Sequence, residues 1–165
     1  MKTKIAIAAT ACLLFIFLGG ALLVQAAPPT DACSLLTSAK VSSVLGVSVG
    51  PGEKVVPSSA AVCGWQVPGE KDMDRKRVVL SIYTQMGSRT PVQRFNTAKT
   101  PVQGVTKEPV SGVGDEAIFA TTHGLGTSLI FRKGDSAFDL RVYGFPAEQL
   151  KSKEKALAQE VLAKL

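Results

Sequence analysis

The stretch Thr127 to Tyr143, T-S-L-I-F-R-K-G-D-S-A-F-D-L-R-V-Y, decides the fold. A two-residue turn at Gly134-Asp135 sets Lys133 opposite Ser136. Counting back, Phe131 faces Phe138, Leu129 faces Leu140 and Thr127 faces Val142. The five apolar residues of these pairs then share one side of a β-hairpin, and Ser128, Arg132, Asp139 and Arg141 share the other. Side chains alternate with period two, so a slip of one residue would destroy the segregation. A Gly-first turn suits type II′, whose twist matches that of paired strands. The hairpin therefore belongs to a half-buried sheet whose apolar face needs a cover.

Working outward, Val62 to Val67 alternates, with Cys63, Trp65 and Val67 on one side. Val78 to Thr84 alternates likewise, with Val78, Leu80 and Ile82 inward. The two are expected to pair antiparallel across a charged connection, Pro68 to Arg77. That connection reads as a wet hairpin tip, with docking of an acidic partner as the alternative. Trp65 reads as core packing, with a ligand platform as the alternative. Ala117 to Thr121 is a further strand, fed by the Gly-rich turn Val110 to Glu116 and leaving through His123-Gly124-Leu125-Gly126. Val47 to Val56 reads as a short strand, a turn and a second short strand. Pro57 to Ala61 reads as a loop, and Pro101 to Glu108 is ambiguous.

Three helices are expected. Thr37 is a good N-cap and Gly46 a good stop, with Leu36 and Val41 spaced as a hydrophobic staple and Val41, Val44 and Leu45 inward. Thr90-Pro91 is a cap followed by proline at the first helical position, opening a short helix to about Ala98 that buries Val92 and Phe95. The last helix starts at Pro146 and runs near Leu165. Leu150, Leu157, Val161 and Leu165 make a stripe with Ala158 and Leu162 beside it, while Lys151, Lys153, Lys155 and Lys164 stay wet. This helix is the expected cover. The fold class is α+β: an antiparallel sheet of about five strands, a covering C-terminal helix, and a short N-terminal helix tied by a disulfide.

The N-terminus has the pattern of a secretory signal peptide. Lys2 and Lys4 precede an apolar run from Ile5 to Val24, and Val24-Gln25-Ala26 fits a small-x-small cleavage site. Residues 1–26 are the expected leader, 27–32 a linker and 33–165 one domain. The rival is an uncleaved N-terminal anchor, since the run is about as long as a membrane span of roughly 20 residues. Cys12 would leave with the leader. The expected location is secreted or periplasmic. Of the 3 cysteines, Cys33 and Cys63 then remain, and in an oxidising compartment a disulfide is the default. Closing a ~30-residue loop is worth about 3–4 kcal/mol in the chain-entropy model, a large share of a typical ~5–15 kcal/mol.

Removing Lys2 and Lys4 lowers the formal charge from +6 to +4. That permits weak association with an anionic membrane or an acidic cell-wall polymer, and argues for no nucleic-acid partner, since no basic-aromatic stripe accompanies it. No cofactor is indicated. Gly112 and Gly114 lack the third glycine of a dinucleotide fingerprint, and one His with two bridged cysteines leaves no ordinary transition-metal ligand set. Asp115 and Glu116 are a tempting acidic pair, but strand neighbours point to opposite faces. His123 could act as a base beside Asp115 with a nearby hydroxyl nucleophile, although no nucleophile-elbow motif occurs.

Cys33-Ser34-Leu35-Leu36-Thr37, Val41, Leu45-Gly46 and Cys63-Gly64-Trp65, with Val113-Gly114-Asp115-Glu116-Ala117 further on, resemble a bacterial family of secreted proteins and lipoproteins of unknown function that is common in actinobacteria. The resemblance implies a small α+β fold, a paired cysteine bridge and no established enzymatic activity. Many relatives carry a lipid-attachment cysteine directly after the leader, and this chain does not. Two function classes follow. One is a non-catalytic binding module of the cell envelope or extracellular space, taking a protein, polymer or small ligand. The other is a small secreted hydrolase using His123 with Asp115.

Overall fold

A computed structural model describes residues 27–70 and 75–165. The expected leader, residues 1–26, and Lys71, Asp72 and Asp74 of the charged connection lie outside the described residues. A single 3₁₀ turn, Ala32–Ser34, precedes helix α1, Ser38–Leu45. Strands β1 (Glu53–Val56), β2 (Ser59–Gln66) and β3 (Arg77–Ile82) come next. Helix α2 (Pro91–Lys99), strands β4 (Val105–Val110), β5 (Glu116–Thr122), β6 (Gly126–Lys133) and β7 (Ser136–Tyr143), and helix α3 (Ala147–Leu162) complete the chain.

The sheet has 7 strands in the order β1-β2-β3-β7-β6-β5-β4. Every neighbour pair is antiparallel. From β3 the chain passes through α2 to the far edge, then meanders back strand by strand until β7 closes against β3. The deciding hairpin has the register its alternation demands, with Leu129↔Leu140, Phe131↔Phe138 and Lys133↔Ser136 paired. The Phe131 and Phe138 rings stack with centroids 5.0 Å apart. β2 and β3 pair as expected, with Cys63 opposite Leu80 and Trp65 opposite Val78.

These side chains make the first face of the sheet. α3 covers it with Leu150, Leu157, Ala158 and Val161, and α1 adds Val41 and Leu45. Thr37 caps α1 through its hydroxyl, which accepts from the Lys40 N–H, and Gly46 ends it at φ 75°. The disulfide Cys33–Cys63, with a Cα separation of 5.1 Å, fastens the 3₁₀ turn to β2 beside Trp65, and Trp65 is core. Lys153, expected in water, donates to the Val44 and Leu45 carbonyls at 3.2 and 3.1 Å. It thereby satisfies acceptors left open at the C-terminal end of α1.

The sheet is larger than expected, seven strands against about five. The edges account for the difference: β1 is the second of the short strands expected within Val47 to Val56, and β4 was not expected. Every residue of β1 is exposed, so burial imprints no alternation on it. β4 begins in the ambiguous segment Pro101 to Glu108 and runs past it through Pro109, a residue found in sheets mainly on edge strands, where a missing N–H costs no ladder bond. Ser59 to Ala61, expected as loop, begins β2. The Val47 to Gly52 segment forms no strand. Leu165, placed on the buried stripe, lies beyond the end of α3 and is exposed.

The second face departs most from the polar reading of the hairpin. Ile118, Ile130 and Ala137 project from it and are buried under Phe95 of α2, with Tyr83, Ala98 and Ala120 alongside. The expected cap holds here: Thr90 and Gln93 form a reciprocal capping box and Pro91 opens the helix.

Candidate functional site

Alternation along the strands puts Gly64, Gln66, Arg77, Val79, Arg141, Tyr143, Ser128, Ala120 and Lys107 on the second face. Register aligns Val79 with Arg141 and Arg77 with Tyr143, and Ser128 with Ala120, which also faces Lys107. α2 packs over one end only, against β5, β6 and β7. The rest of this face lies open in two adjoining depressions. One, of about 380 Å³, is lined by Val55, Gly64, Gln66, Arg77, Val79 and Tyr143 among others. The second, of about 260 Å³, includes Tyr83, Lys107, Ala120, Ser128, Asp139 and Arg141.

The polar groups on the open face are held rather than loose. The Arg77 guanidinium lies 4.5 Å over the Tyr143 ring, and Arg94 lies 4.5 Å over Tyr83. Arg141 donates to both Asp139 carboxylate oxygens, at 3.2 and 3.3 Å. Burial opposes the Arg141 charge, but Asp139 outweighs it and holds the guanidinium above its ordinary range. Burial, with Asp139 second, pushes the Tyr83 phenol up to about 12, so it stays a neutral hydrogen-bonding group. Lys107 donates to the Ala98 carbonyl and so links β4 to α2.

His123 and Asp115 are not brought together. His123 is exposed in the turn between β5 and β6, and Asp115 precedes β5 at its opposite end. Eight residues of extended chain at ~3.3 Å each separate them by about 25 Å. Asp115 is instead engaged by the β6–β7 turn. It accepts from the Gly134 N–H at 2.8 Å and from Lys133 at 3.0 Å. These bonds, the backbone one first, hold its carboxyl below the usual range. Glu116 is held low chiefly by Lys99, at 2.6 Å. Arg132 bridges the two carboxylates at 3.4 and 3.6 Å. Gly114, at φ 59°, lets this turn approach the sheet, since a Cβ there would lie 2.2 Å from the Arg132 carbonyl oxygen.

One chemically unusual group escapes the sequence reading. Glu154 of α3 is fully buried in the core. Its Oε1 accepts from the Val142 N–H at 3.2 Å, and its Oε2 has no partner. The cause is topological. The Tyr83 backbone N–H donates to the Ala137 carbonyl on the β3 side of β7. Backbone groups alternate sides along a strand, so those of Val142 point toward β6. The β6–β7 ladder runs from Lys133↔Ser136 only as far as Leu129↔Leu140. The carboxyl of Glu154 occupies the place where the expected Thr127–Val142 pairing would have continued. Burial pushes its carboxyl up to about 8 against the opposing Val142 bond, with Asp139 adding to the rise and Arg141 and Lys151 countering it. It opens into none of the surface depressions described, so it reads as a structural acid. Its position was legible: four residues after Leu150 and three before Leu157, it lies on the apolar stripe.

Among the described residues no group of three or more His, Cys, Asp or Glu side chains is gathered to hold a metal ion. Taken together, these features define a small disulfide-tied α+β domain with one closed and one half-open sheet face. No family model, curated protein or solved structure matches the chain.

Proposed function

We propose that this chain is an exported, non-catalytic binding module of a bacterial cell envelope or extracellular space, and that it binds through the open half of the second sheet face. That open, cation-lined face carries the reading. A sheet needs one covered face to fold, and an uncovered concavity with anchored guanidiniums has the character of a recognition surface. Export is supported by the leader pattern ending at Ala26 and by the Cys33–Cys63 bridge, which persists in oxidising compartments. Among the described residues no helix is long and apolar enough to cross a membrane. The resemblance of the Cys33-to-Thr37 and Cys63-to-Trp65 blocks to secreted proteins and lipoproteins of unknown function points the same way.

The hydrolase alternative needs His123 and Asp115 to cooperate, and their separation along β5 gives it no support. The test is co-sedimentation of the mature protein, residues 27–165, with cell-envelope material. Binding is expected in the parent and in His123→Ala, and a marked loss is expected in Val79→Glu, which puts a charge on the floor of the open face. Equal binding by Val79→Glu and the parent would refute the assignment of the face. Hydrolysis of an ester or peptide library that disappears in His123→Ala would replace it with the enzyme. Intact mass of the exported protein should begin at Ala27, and a retained leader would favour the anchored form.

A further inference from the structure

Building on that reading, we infer that the open half of the second face takes a strand of acidic polysaccharide. Arg77 and Arg141 hold its carboxylates, and Val55, Val79 and the Tyr143 ring meet its sugar rings.

The cations are placed for this. Arg77 is paired with Tyr143 and Arg141 with Val79, so the two arginines are diagonal neighbours, their Cβ atoms within ~7–8 Å of each other. Guanidinium offers planar, paired donors that match a carboxylate. Arg77 is exposed and stacked on Tyr143 at 4.5 Å, an arrangement that fixes its plane without using its donors. Arg141 gives Nε and Nη2 to Asp139 at 3.2 and 3.3 Å, so a ligand carboxylate competes with Asp139 for it. Lys107 extends the positive charge to the far side of the second depression. The facing carboxylates are Glu53 and Asp139 alone among the described residues lining the two depressions.

The apolar part narrows the choice to a sugar. Val55 is 53% exposed and lies over Gly64, where an added Cβ would meet its Cγ2 at 3.1 Å. Val79 forms the floor beside it, and Ala120 and Ser128 keep the floor low toward β4. A sugar ring carries a C–H face and a polar rim, and an acidic sugar adds a carboxylate to that rim. Valines beside guanidiniums fit both parts. A lipid bilayer would instead need a protruding apolar surface, and these groups sit in a depression.

The probe is polygalacturonate, with neutral dextran and anionic phospholipid vesicles as comparisons, measured by calorimetry on the mature protein. Polygalacturonate should bind, dextran should not, and the affinity should fall as salt screens the contacts. Arg77→Gln with Arg141→Gln should weaken binding at least tenfold. Lys155→Gln, an exposed lysine on α3 away from the face, should leave it unchanged. Asp139→Asn, which removes the competing carboxylate, should tighten it severalfold. Thermal melts of each variant separate lost binding from lost folding. Equal weakening by Lys155→Gln, or binding to vesicles alone, would overturn the inference. Binding to envelope material without binding to polygalacturonate would overturn the ligand class and leave the binding-module reading standing; no binding to either would remove both.

Discussion

On the first face of the sheet Leu80, Leu129, Phe131, Phe138 and Leu140 are wholly withdrawn from water. On the second face β3 and β7 present Val79, Arg141 and Tyr143, none of them fully buried. Helix length accounts for much of the contrast. α3 has 16 residues, about 24 Å at 1.5 Å per residue, and runs across the first face with α1 beside it. α2 has 9 residues, about 13 Å, over a sheet whose six strand spacings amount to roughly 29 Å. The first face carries the larger core, so residues on the uncovered part of the other keep a surface open to solvent and available for recognition.

The contrast is broken most directly by truncating its closed side. Phe138→Ala should lower the unfolding free energy by about 3–5 kcal/mol, as for other buried aromatics. Val79→Ala, on the open face of the neighbouring strand, should stay within about 1 kcal/mol. Urea titration of both variants checks this, and similar losses would mean that the second face is also packed in solution. Next in size is the bridge that ties the 3₁₀ turn to the first face. Its sequence separation is 30, and its removal by Cys33→Ala with Cys63→Ala should cost about 3–4 kcal/mol. An unchanged melting curve for that double variant would contradict the stapling role.

Glu154 brings a titratable group into the closed face. Its carboxyl is raised to about 8 from an ordinary 4.5. Between those values the folded chain holds a proton that the unfolded chain has lost. Its contribution is therefore fully present below the ordinary value and is lost as pH rises toward 8, by at most about 1.4 kcal/mol per pH unit. Glu154→Gln keeps an acceptor for the Val142 N–H and should flatten this part of the stability profile. A parent profile that rises steadily from pH 5 to 8 would rule the buried acid out.

The smallest effect belongs to the exposed carboxylates at the edge of the second face. Asp115 and Glu116 are held low, so what they contribute is present above the ordinary carboxylate range and lost as pH falls below it. Asp115→Asn should lower stability slightly at neutral pH and leave it unchanged in acid, where the carboxyl is already neutral. Chemical-shift titration of the two carboxyl groups reads it directly, and ordinary midpoints for both would contradict the turn contacts.

The deciding hairpin, the β2–β3 pair, both shorter helices with their caps and the covering role of α3 were legible because each rests on period, cap chemistry or turn residues close in the chain. The separation of His123 and Asp115 was also legible, since the strand expected from Ala117 to Thr121 lies between them. The edge strands were legible only in part, β1 as the second short strand within Val47 to Val56 and β4 not at all. β1 is exposed throughout, so burial leaves no pattern in its residues. Ile130 and Ala137 had no visible reason to be buried, because their cover comes from Phe95, far away in sequence.

By itself, then, the sequence determined the local elements, the register of the central hairpin and the side of it that must be covered. It did so because side-chain periodicity and capping act within a few residues. Only the tertiary structure decided that α2 crosses to the second face and covers one end of it, that the ladder beside Val142 stops short, and that the carboxyl of Glu154 meets the Val142 N–H left there. Those outcomes depend on which distant surfaces meet, and no short stretch of chain encodes the partner it will find.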